Sequence, residues 1–79
     1  MKKTTPDERF LIKLYKTALA HGDPQTPLDF RPIAKELGQK ETAMKNIIKH
    51  LAQANLLKKV GEYEVHLTER GTSFVLENI

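Results

Sequence analysis

The chain lacks cysteine and tryptophan altogether, and only four glycines and four prolines are spread over its 79 residues. Without cysteine there can be no disulfide framework, thiol nucleophile or thiolate metal site. Long apolar runs are missing too. None approaches the roughly 18 residues of a membrane-spanning helix, and the N-terminus carries no signal-like hydrophobic region. A cytoplasmic location away from membranes is therefore expected. With 79 residues, 39% of them apolar, the chain can build one modest core of marginal stability. A flexible segment over residues 1–5 and a single domain over residues 6–79 are expected.

Catalytic groupings are equally sparse. His21, His50 and His66 are scattered, with no His-x-x-x-His pair and no matched carboxylates beside them. Glu62, Glu64 and Glu69 are close in sequence, but they fall at a turn and a helix start, which make no dry cleft. There is no phosphate-cradling glycine loop, no activated serine and no paired acid and base. No enzymatic activity, cofactor or metal is expected.

What the chain does have is helical periodicity. Thr5-Pro6-Asp7-Glu8 combines an N-cap hydroxyl, a proline at the first helical position and a glutamate at the third. Phe10, Leu11, Leu14 and Ala18 form the inward stripe of this first helix, which Gly22 ends. Ile12, Tyr15 and Leu19 lie partly round the other side. Residues 22–29 form a connector with two prolines, in which Leu28 is placed in a short strand. Asp29 then caps the next helix, which tolerates Pro32 in its first turn.

Residues Ile33 to Leu57 are the most informative stretch. Ile33, Ala34 and Leu37 give one short helix its apolar stripe, and Gly38 supplies the positive φ at which a helix stops. Met44, Ile47, Ile48, Leu51 and Ala54 then recur at helical spacing. At 100° per residue they fall within roughly ±80° of Met44. The opposite side holds Thr42, Lys45, Asn46, Lys49 and Gln53, with no acidic residue among them. Glu41 sits at the edge, near the helix start, where the dipole favours a carboxylate.

Beyond it, Leu56–Val60 and Tyr63–Leu67 are β-leaning runs separated by Gly61-Glu62, a pairing that suits a type II′ hairpin. Tyr63, Val65 and Leu67 alternate with Glu64 and His66. Thr68 caps a last helix with Phe74 and Val75 inward. The fold class is thus mainly α with a small β-hairpin (α+β), in the order helix-helix-helix-strand-strand-helix.

With IAKELG, TAMKNIIKHLAQANLL and KKVGEYEVHLTERG in that order, the chain resembles the winged helix-turn-helix domains of MarR-like and PadR-like transcriptional regulators. The resemblance runs from about Phe10 to the C-terminus. It implies a recognition helix over residues 40–55 entering the major groove of double-stranded DNA, followed by a hairpin wing. Thr42, Lys45, Asn46 and Lys49 occupy the positions that face base edges and phosphates, and Gln53 and Lys58 are assigned to the same surface. The chain departs from the family pattern in three places. Lys40 or Gln39 stands at the recognition helix N-cap, where serine or threonine is usual. Asn55 replaces the glycine before the wing, and the wing tip is acidic.

Charge follows the same partition. The net charge is +3, but residues 31–60 carry seven basic and two acidic side chains, whereas residues 61–79 carry one basic and four acidic. The basic excess coincides with the helix-turn-helix, as a phosphate polymer requires. Ile12, Leu19, Phe74, Leu76 and Ile79 are the alternative functional residues, forming a homodimer interface. A protein-interaction module that never touches DNA is the second functional reading, because fold does not fix function.

Overall fold

The computed structural model describes residues 5–78. In chain order these form α1 (Pro6–Ala20), β1 (Leu28–Asp29), α2 (Phe30–Glu36), α3 (Glu41–Gln53), β2 (Leu57–Lys59), β3 (Glu64–Leu67) and α4 (Glu69–Asn78). Of the expected flexible segment, residues 1–4 lie outside the described residues, as does Ile79.

Local chemistry explains where each helix begins and ends. Thr5 Oγ1 accepts the Glu8 amide at 3.2 Å, and Asp29 accepts the Arg31 amide at 2.8 Å, so α1 and α2 start at the expected caps. At α1 the Thr5 hydroxyl also donates to the Glu8 carboxylate. After α2, Gly38 adopts φ 72°. Its amide donates to Lys35 O, and the Gln39 amide donates to Ala34 O, the paired closure of a Schellman motif. The same closure ends α1 and α3, with Gly22 and Asn55 in the left-handed position. Asn55, at φ 62°, thus takes a left-handed position that glycine most often fills at a helix end.

The sheet is antiparallel, in the order β1-β3-β2. Leu28 pairs with Val65 and Asp29 with Glu64, so the connector strand flanks the hairpin. The Phe30 amide extends that edge by donating to Tyr63 O at 2.9 Å. The type II′ expectation is corrected. Val60 N donates to Glu64 O, leaving Gly61, Glu62 and Tyr63 as a three-residue connection, and Gly61 is not among the positive-φ glycines. The Tyr63 carbonyl is taken instead by the Phe30 amide, and its ring packs on Phe30.

One core holds these elements together. Phe10, Leu11 and Leu14 of α1 meet Phe30, Ile33 and Ala34 of α2, Met44, Ile48 and Leu51 of α3, Leu57, Val65 and Leu67 of the hairpin, and Val75 of α4. Helix α1 packs against α2, α3, α4 and β3, which makes it the central strut. Ile47 and Phe74 are half-buried against this core. Ala54, expected on the core side of α3, is instead exposed, because the helix has already ended and Ala54 is its C-cap. Among the described residues no polar or charged side chain is buried, so the core rests on apolar burial alone.

Helix α4 is seated by a close approach. Thr68 Oγ1 donates to Asn55 O at 2.6 Å and accepts the Gly71 amide at 3.0 Å. The Thr68 amide donates to Leu56 O. Gly71 is buried, and a Cβ there would overlap the Leu56 carbonyl. Elsewhere in a helix, Gly→Ala gains up to about 1 kcal/mol from propensity. Here the overlap reverses the sign. Gly71→Ala should lose at least about 2 kcal/mol, within the range of about 2–5 kcal/mol expected for Leu14→Ala. Urea denaturation checks this: a Gly71→Ala protein as stable as the parent would mean that α4 is not held by this contact.

Candidate nucleic-acid interface

Helix α3 divides cleanly. Met44, Ile48 and Leu51 are buried, whereas Thr42, Lys45, Asn46, Lys49 and Gln53 are all exposed. Alternation at the 3.6-residue period produces this split, and the tight Leu37–Lys40 connection fixes which way the helix faces. Its N-cap, Lys40, makes no side-chain capping bond. The first turn is supported by the Glu41 carboxylate, on the favourable side of the helix dipole.

The cations on this face differ in how they are held. Lys45 Nζ lies 3.7 Å from Glu41 Oε2, one helical turn back. Both side chains are about half exposed, so the pair contributes only about 0.3–0.5 kcal/mol and leaves Lys45 available. Lys49 has no ion-pair partner among the described residues. Lys45 Nζ also stands 5.6 Å from the centre of the Tyr63 ring.

Between α3 and the hairpin runs an open groove of about 590 Å³. Phe30, Ile48 and Ala52 make its apolar wall, while Lys45, Lys49, Gln53, Lys59 and Glu62 line its polar parts. Lys59 is a residue that the sequence reading passed over. Strand alternation offered the signal, since Lys59 lies two residues after buried Leu57 and pairs with buried Val65. Lys58 is exposed opposite His66 and is not among the groove residues. Glu62 of the hairpin connection lines the same groove as Lys45, Lys49 and Lys59.

Arg31 was also missed. Its guanidinium forks onto both carboxylate oxygens of Asp29, with Nη2 at 2.6 Å and Nε at 3.1 Å, and its Cζ lies 3.9 Å above the Tyr63 ring centre. The Tyr63 ring in turn leans on Phe30, with centroids 5.9 Å apart. No motif announces this arrangement, because it joins residues 29–31 to residue 63 through the β1–β3 pairing.

The residues considered for a dimer interface differ in exposure. Ile12 and Phe74 are partly covered by their own core. Leu19 and Leu76 stand 48% and 55% exposed, and Ile79 lies outside the described residues.

The side-chain bond from Arg31, with help from its amide, holds the Asp29 carboxyl below its ordinary value of 3.8. A carboxyl lowered in the folded state contributes stability above its unfolded pKa and loses it as pH falls through the folded value. Asparagine caps helices comparably but cannot hold the arginine fork. The parent should therefore melt at a higher temperature than Asp29→Asn at neutral pH, and the gap should close below about pH 4. Paired thermal melts from pH 7 to pH 2 check this, and a gap that stays constant with pH would contradict it.

No family model matches the chain, and neither the curated proteins nor the solved structures provide a match.

Proposed function

We propose that this chain is a winged helix-turn-helix protein that binds double-stranded DNA through α3 and acts in transcriptional regulation. The observation that carries the reading is the outer face of α3. Five polar or cationic side chains, Thr42, Lys45, Asn46, Lys49 and Gln53, are exposed there, directly above the buried Met44, Ile48 and Leu51. A helix held rigidly from below with such a face outward has the shape and chemistry to enter a major groove. Lys45 and Lys49 contact phosphate or guanine O6 and N7, Asn46 pairs with an adenine edge, and Thr42 holds a phosphate near the helix N-terminus. Gln53 and Lys59, which both line the groove, extend the contact toward the hairpin.

A module of this size covers only about 600–1,000 Å² on DNA, so useful specificity calls for a second copy or a tethered partner. The exposed Leu19 and Leu76 favour such an association. They equally support the second reading, a protein-interaction module without DNA contact.

Duplex binding followed by fluorescence anisotropy across a salt series tests the first reading. Lys45→Ala and Lys49→Ala should each weaken binding and reduce the slope of log affinity against log salt by about one if each touches phosphate. Unchanged affinity in both variants would eliminate the docking. An amide-shift titration separates the two readings. Movement confined to residues 41–53 on adding duplex supports groove binding. Silence there, with concentration-dependent shifts at Ile12 and Leu19, supports self-association.

A further inference from the structure

Three elements converge on the Tyr63 ring. Arg31 of α2 lies over it, Lys45 of α3 approaches it, and the ring itself belongs to the hairpin connection. We propose that Arg31 and Lys45, gathered on Tyr63, form a clamp for one phosphate of a duplex backbone, with Arg31 as its pre-oriented half. The proposal rests on the DNA reading of α3 and adds a contact from outside that helix.

The guanidinium is the group best prepared for the task. The fork to Asp29 uses Nε and Nη2, and Nη1 has no hydrogen-bond partner among the described residues. A second edge of the planar donor set therefore has donors left for an acceptor. The fork to Asp29 and the contact over Tyr63 hold the guanidinium from two sides, and half of the side chain remains accessible at 50% exposure. An arginine held in this way loses little conformational freedom when a phosphate arrives. It also need not release Asp29, because the two anions use different edges. Lys45 has only the exposed Glu41 pair to exchange. Asp29 and Glu41 are each already matched to one of the two cations, while Glu62 and Glu64 flank Tyr63 in the chain. A phosphate would be drawn by the charge of each cation and fixed in place by directed hydrogen bonds.

The test uses the full chain, a labelled mixed-sequence duplex of about 20 base pairs and potassium chloride from 50 to 200 mM. Arg31→Ala should weaken binding severalfold, lower the salt slope by about one, and do so alike on two unrelated duplex sequences. Arg31→Lys should recover the slope but only part of the affinity, because it restores charge without the fork. A purely structural role for Arg31 would shift the thermal melt and leave the slope intact, which would overturn the proposal. So would Arg31→Ala binding like the parent while Lys49→Ala loses affinity, although the α3 docking would then stand. Failure of the parent to bind any duplex at 50 mM salt would overturn both. Inorganic phosphate added at constant ionic strength is the remaining arm. If low millimolar phosphate abolishes the Arg31-dependent part of binding, the site takes small anions, and the assignment to a duplex backbone fails.

Discussion

The position of α4 against the corner between α3 and β2 is the constraint on which the arrangement turns. At that corner Asn55 ends one helix in the left-handed conformation, Leu56 directs its carbonyl toward α4, and Thr68 binds both residues through its hydroxyl and amide. Gly71 lets the backbones meet where any side chain would hold them apart. The direction of α3, the start of the hairpin and the seat of α4 are thereby fixed by one small cluster. Because α1 packs on α2, α3 and α4 together, a shift at this corner would be felt throughout the core.

That rigidity gives the outer surface its meaning. No polar side chain is buried among the described residues, so polar chemistry is confined to the exterior, and its arrangement follows from how the apolar interior closes. The α3 lysines, the hairpin groove with Lys59, and the Arg31–Tyr63 stack are neighbours because β1 ties the start of α2 to the hairpin. Acidic groups interleave with all three. Asp29 meets Arg31, Glu41 meets Lys45, and Glu62 lines the groove. The face is better described as a set of oriented donors than as a plain basic patch.

Much of this was legible in the chain itself, for physical reasons. The caps at Thr5, Asp29 and Thr68, the helix stop at Gly38 and the apolar stripe of α1 are local decisions of the backbone and of burial, and short-range patterns report them. The left-handed Asn55 could be read in the same way. Long-range effects could not. The third residue of the hairpin connection, Tyr63, has its carbonyl taken by the Phe30 amide, a contact across more than thirty residues. Arg31 is unremarkable in sequence until Tyr63 is folded beneath it. The role of Gly71 was not legible, since its close contact is with a carbonyl fifteen residues earlier. Lys59 was within reach, because strict alternation from Leu57 puts it on the core side of the hairpin.

The small strand β1 has an effect on self-association as well. It covers one side of β3, and β2 covers the other, so the sheet offers outsiders only its two margins. One margin is a strand of two residues, and the other carries Lys58 and Lys59 side by side. Short margins and adjacent like charges both discourage strand-to-strand stacking of separate molecules. A domain this small, with a three-stranded sheet at its surface, is thus guarded against fibrillar growth by the same segment that completes its fold.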